Sequence, residues 1–174
     1  ITDFLDEQGT ILDGLDPATA PLLDRARVFT AGGKRLRPAF AAWAWVAVTG
    51  KADLPDAVIR AAAALDVLHV SALMHDDVMD ASDVRRGLPA AHRQFETWHS
   101  EHGLTGSAEA FGRAGAILLG DLLLVWSMEL FTASGLSSEA LRRGLPLLDA
   151  VRTEVTCGQF LDVVAQAEPI GSID

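Results

Sequence analysis

The period of the apolar residues is the strongest constraint this sequence places on its fold. Apolar side chains recur at intervals of three and four residues along almost every segment, and nowhere do they alternate cleanly over the length of a strand. Residues that favour sheets are scarce: tyrosine is absent and β-branched residues seldom cluster, whereas alanine and leucine are plentiful. The expectation is an all-α fold, with helices long enough to form a bundle. At 174 residues and 49% hydrophobic content, the chain suits one domain, 1–174, with a core of useful size.

Punctuation residues divide that pattern into helices. Residues 1–15 read as a weakly amphipathic helix. Asp16-Pro17 supplies an N-cap and a first-turn proline for a helix over 17–30, which Ala31-Gly32-Gly33 stops. The next helix, 37–49, is apolar all round from Ala39 to Trp45, as expected of a central helix or one at a subunit interface. Asp53-Leu54-Pro55 then opens a long helix ending near Asp80, followed by a loop from Ala81 to Pro89. A shorter polar helix covers 89–99. A strongly apolar one runs from Ala108 to Phe131, interrupted by Asp121, and a last helix runs from Ser137 to about Ala167.

A net charge of −10 argues against a general nucleic-acid surface or an anionic membrane surface. The longest unbroken apolar run, Ala39 to Val48, is too short to span a bilayer, and acids occupy the first residues where a signal peptide would be basic and then apolar. With Cys157 as the one cysteine, no intrachain disulfide is expected. A soluble cytoplasmic protein with no transmembrane segment is the default.

Against the acidic background, Lys34, Arg35 and Arg37 crowd into Gly33-Lys34-Arg35-Leu36-Arg37-Pro38 at the start of a helix. Free backbone N–H groups there, with Lys34 and Arg37 three residues apart, make a plausible diphosphate cradle; a solvated basic turn is the plain alternative. His69 follows on the long helix, where a lone histidine is usually a bonded core residue. Asp76-Asp77-Val78-Met79-Asp80 closes that helix, with Asp76 and Asp80 one turn apart on one face. Such a string is often a mere solvated end. Here it sits at a helix C-terminus, where the macrodipole disfavours negative charge, so a cation such as Mg²⁺ between the carboxylates would compensate. Arg85-Arg86-Gly87 comes next. His75, turned about 100° from Asp76, reads as structural. Asp66, Asp83 and Asp121 stay ambiguous, Asp121 as a cap or an internal partner. Gln159 and Asp162 share one face of the last helix.

Taken in order, Gly32-Gly33-Lys34-Arg35-Leu36-Arg37-Pro38, His69, Asp76-Asp77-Val78-Met79-Asp80 and Arg85-Arg86-Gly87-Leu88-Pro89 resemble the head-to-tail trans-isoprenyl diphosphate synthases. Gly120-Asp121 and Gly158-Gln159-Phe160-Leu161-Asp162 fall where that family has similar signatures. The resemblance implies a Mg²⁺-dependent prenyltransferase that joins an allylic diphosphate (dimethylallyl, geranyl or farnesyl) to isopentenyl diphosphate, and it suggests a homodimer. It implies that Asp76 and Asp80 hold Mg²⁺, with Asp77 in support, and that Arg85 contacts the allylic diphosphate. Gly33, Lys34, Arg37, His69 and Arg86 would bind isopentenyl diphosphate, with Gln159 and Asp162 on the allylic side. It covers the N-terminal half of a family member: the second aspartate-rich motif and its C-terminal helices have no counterpart here. Ser71 and Ala72, five and four residues before Asp76, are small where bulky residues in the family stop elongation. That predicts a product of twenty carbons or longer, geranylgeranyl diphosphate foremost, and a shorter one from Ser71→Phe. A non-catalytic partner subunit and, less favoured, a class I terpene cyclase are the competing readings.

Overall fold

A computed structural model describes residues 1–167. Seven α-helices account for most of the described residues: α1 (Thr2–Leu15), α2 (Ala20–Ala31), α3 (Leu36–Thr49), α4 (Asp56–Met79), α5 (Ala91–Glu101), α6 (Ala108–Thr132) and α7 (Ser138–Ala167). A 3₁₀ turn, Pro17–Thr19, separates α1 from α2, so the helix expected from residue 17 begins three residues late. Asp16 caps that turn rather than α2, accepting 2.8 Å from the Ala18 N–H. The chain forms two compact units, Ile1–Gly135 and the stretch from Leu136 onward.

In the first unit α4 and α6 pack along each other, α5 lies against α6, and α3 lies against α4. Val67, Val70 and Met74 of α4 and Ala116, Leu119 and Leu123 of α6 are wholly buried at the centre. Phe4 of α1 meets Trp126 of α6 edge-on at 6.3 Å, and Gln8 donates 2.8 Å to Glu129, which docks α1 across the pair. Both central helices are long and apolar enough to cross a membrane by length and composition. Single polar residues such as Asp66 and Asp121 break any apolar run but barely move a helix-length average, so the unbroken-run reading missed them. Here the two helices are the core of the first unit.

Two expectations need correcting. None of the residues of α3 is buried, and Phe40 and Trp43 are more than 70% exposed, so α3 is not central to this unit. The stretch expected to be a plain loop contains a tight hairpin, β1 (Val84–Arg85) and β2 (Leu88–Pro89), with Arg85 paired to Leu88. Arg86 (φ 55°) and Gly87 (φ 80°) both turn through the left-handed region, the signature of a type I′ turn. Before it, α4 ends in a Schellman closure: Ala81 adopts φ 51° and the Ser82 N–H reaches the Asp77 carbonyl at 2.9 Å.

The second unit is α7, opened by the Ser137 hydroxyl accepting from the Ala140 N–H at 3.2 Å and carrying Pro146 inside the helix.

Candidate active site

Three segments far apart in sequence build a cleft of about 530 Å³ in the first unit. Its walls are the Gly33-Lys34-Arg35-Leu36-Arg37 turn between α2 and α3, Asp66 and His69 on α4, and Arg86 from the hairpin. Gly33, Lys34, Arg37, His69 and Arg86, expected from the sequence to bind one anion, therefore do converge.

The turn works differently from the helix start expected there. α3 begins at Leu36, with Arg35 as its N-cap at φ 52°, so Lys34 precedes the helix and shares no helical face with Arg37. A buried side chain holds the turn instead. The Arg35 guanidinium pairs with Asp66, which is only 5% exposed, and also donates to the Thr30 carbonyl. Desolvation and then the Arg86 charge lower the Arg35 pKa. Asp66 therefore anchors the turn from α4. Thirty-one residues separate the pair, and no local pattern marks it.

Arg86 enters from the other side. Its guanidinium donates to the Gly32 carbonyl at 3.0 Å and to the Phe29 carbonyl at 3.4 Å. Gly33, at φ 105°, leaves the space it occupies: a Cβ there would lie 2.9 Å from the Arg86 guanidinium. Gly33 thus has a packing reason beside any use of its backbone N–H. The assembled charge acts on His69. Burial, then Arg37, Arg86 and Arg85, push its pKa down to about 4, so the ring is neutral at pH 7 and offers a neutral N–H.

Beyond the tight turn, Arg85 points to the acidic end of α4. It donates to Asp77 Oδ1 through Nε at 2.8 Å and to Asp76 Oδ2 at 3.0 Å. Asp77 is fully buried, and its Oδ2 has no hydrogen-bond partner. Its charge and hydrogen bond raise the Arg85 pKa, so Arg85 is cationic at any physiological pH. Asp77 is therefore the anchor of Arg85, and Asp76 and Asp80 are left as the accessible acids: Asp76 is half-buried and Asp80 exposed.

Among the described residues no three His, Cys, Asp or Glu side chains form a ready-made metal site. The donor chemistry nevertheless fits Mg²⁺. Two carboxylates one helical turn apart, beside an arginine, suit an ion that uses one or two carboxylates and completes its shell with phosphate oxygens and water. Gln159 lies half-buried on α7 in the second unit.

Ser71 is 2% exposed, with its hydroxyl donating 2.8 Å to the Gly120 carbonyl, so it faces α6 rather than the open side of α4. Ala72, one turn from Asp76 on the same face, is half-buried. Of the two small residues, Ser71 is therefore sealed between helices and Ala72 is not.

Comparison with known proteins identifies the family and the fold. The family model for polyprenyl synthetase matches residues 22–172. A geranylgeranyl diphosphate synthase of Methanosarcina mazei is 36% identical over 157 residues, covering 87% of this chain and 42% of that protein. A nonaprenyl diphosphate synthase of Mycobacterium tuberculosis is 33% identical over 147 residues, 84% of this chain and 37% of its own length. A crystal structure of geranylgeranyl pyrophosphate synthase from Corynebacterium glutamicum, complexed with isoprenyl diphosphate and magnesium, superposes with a TM-score of 0.88 at 37% identity. It covers 96% of this chain and 48% of that one. The chain thus spans less than half the length of these relatives.

Proposed function

The chain belongs to the polyprenyl synthetase family and has its all-α fold, and from that premise we propose that it is a prenyltransferase condensing an allylic diphosphate with isopentenyl diphosphate. The observation that carries this reading is the convergence of Gly33, Lys34, Arg37, His69 and Arg86 on one cleft, next to Arg85 and the acidic end of α4. A class I terpene cyclase would have no use for that second, metal-free anion site. Relatives named for geranylgeranyl and nonaprenyl diphosphates support a product of twenty carbons or more. The matched stretch, 22–172, runs through both compact units, which supports treating 1–174 as part of one prenyltransferase domain.

On this reading Lys34, Arg37, Arg86 and the neutral His69 N–H hold isopentenyl diphosphate. Asp76 and Asp80 hold Mg²⁺ for the allylic diphosphate, and Arg85, clamped by Asp77, adds its charge beside them. Mg²⁺ bound there would offset charge developing on the departing diphosphate. Arg85, already held by Asp77 and Asp76, is a preorganised donor beside that site, so little reorganisation is needed as that charge grows. The allylic C–O bond breaks with its electron pair leaving on the diphosphate, the isopentenyl double bond attacks the allylic cation, and a proton is lost to restore an alkene. Gln159 and Asp162 are assigned to the allylic side by the same reading, and the enzyme is taken to be a soluble, cytoplasmic homodimer.

The test is an incubation of the protein at its encoded length with Mg²⁺, farnesyl diphosphate and isopentenyl diphosphate. Twenty-carbon or longer products are expected, abolished by chelation and lost in Asp76→Ala and Lys34→Ala. Full activity in both variants would overturn the site.

A further inference from the structure

Gly120 and Asp121 have no part in the cleft, yet they meet the helix that ends in the acidic motif. The Nε2 side of the His75 ring lies against Gly120, where the Cβ of any other residue would collide with it. From that seat Nε2 stands 3.2 Å from the Ile117 carbonyl and 3.2 Å from Asp121 Oδ1. One turn earlier on α4, the Ser71 hydroxyl bonds the Gly120 carbonyl at 2.8 Å. Two successive turns of α4 are thus tied to one spot on α6. A glycine gives the ring room, and the next residue gives it a carboxylate.

We propose that His75, Gly120 and Asp121 form a strut that positions Asp76, making Asp121 a positioning residue for the Mg²⁺–diphosphate site although it touches neither ligand. This rests on the prenyltransferase reading above. Asp76, Asp77 and Asp80 crowd the C-terminal turn of α4, where they repel each other and oppose the helix dipole. Arg85 clamps Asp76 and Asp77 from one side, and a hold on His75 braces the same turn from another. His75 precedes Asp76 by one residue, so fixing its ring fixes the backbone from which the Asp76 carboxylate projects. The two side chains diverge by about 100°, which leaves the metal-facing side of α4 unobstructed.

Stability alone does not account for Asp121. Its side chain is 60% exposed, and a polar contact so open to solvent contributes little to folding. Its geometric contribution is larger, because groups that orient metal ligands commonly change affinity by about 10–100-fold when removed.

The experiment uses the protein at its encoded length and titrates inorganic pyrophosphate with and without Mg²⁺, alongside thermal melting and steady-state kinetics. Asp121→Ala is expected to weaken the Mg²⁺-dependent part of pyrophosphate binding by about tenfold. It should raise KM for the allylic substrate and leave both KM for isopentenyl diphosphate and the melting temperature near their original values. Asp121→Asn keeps an acceptor oxygen and should restore binding to within about twofold. Unchanged Mg²⁺-dependent binding in Asp121→Ala overturns the strut alone. So does a loss that Asn fails to rescue and that tracks a fall in melting temperature, because that is the behaviour of a merely structural residue. A parent protein with no Mg²⁺-dependent pyrophosphate binding overturns the prenyltransferase reading and the strut with it.

Discussion

His69 shows how one residue reports on its surroundings. Its pKa falls to about 4 from an ordinary 6.5 because the ring is desolvated and faces arginines. The sign of the linkage follows. Above pH 6.5 both the folded and the unfolded chain carry a neutral ring, and His69 adds no pH dependence. Between about 6.5 and 4 the unfolded chain binds the proton and the folded chain does not, so stability falls as pH falls through that window. His69→Gln should flatten the pH dependence of denaturant midpoints between pH 6.5 and 4.5; an unchanged slope would mean that the ring is not held neutral. Ala72 gives a second residue-scale expectation. Ala72→Phe should shorten the product, because that side chain shares the Asp76 face. Ser71→Phe should instead lower the melting temperature, because Ser71 is sealed against Gly120. Product analysis by chromatography separates the two. The residues that touch anions were legible as short strings of basic and acidic side chains. Asp66 was not, because its role depends on Arg35 and only the fold brings them together.

Among the elements, the join between the α2–α3 turn and α4 is the one most exposed to a single change. Asp66 is almost fully buried under Arg35, which itself sits in a left-handed conformation that the pair helps maintain. Asp66→Ala should cost at least about 2 kcal/mol, since removing one partner leaves a partly buried charge uncompensated. It should also weaken isopentenyl diphosphate binding by loosening Lys34 and Arg37. Equilibrium unfolding and KM for that substrate measure the two effects. Helix existence was readable from apolar period, most clearly in α4 and α6, which bury a recurring stripe against each other. The hairpin was not. Its strands are two residues each, too short for any period, and its one local signal was Gly87 following Arg86.

At the scale of the molecule, the conspicuous feature is apolar surface that the first unit does not cover. Phe40, Trp43 and Val48 of α3 and Leu118 and Val125 of α6 all stand more than half exposed. These are the helices whose apolar sequence predicted a packed partner, and although α3 lies against α4, its Phe40 and Trp43 stay uncovered within the first unit. A homodimer is expected to use them. Sedimentation of the protein at its encoded length should give a dimer, and Trp43→Glu with Val125→Glu should shift it toward monomer; a monomeric parent would refute the assignment.

The type I′ turn sets a scale for the chemistry proposed here. Arg85 and Arg86 are consecutive, so their Cα atoms are fixed about 3.8 Å apart by a single trans peptide, yet their side chains leave in different directions. One reaches the acids of α4 and the other the glycine turn before α3. On the proposed reading each serves a different diphosphate, so one covalent bond acts as a caliper between the two headgroups. Domain breathing, loop motion or loss of a neighbouring contact would change how firmly each end grips without changing the gauge. An insertion of one residue in that turn would break it, and with it the registration of donor to acceptor.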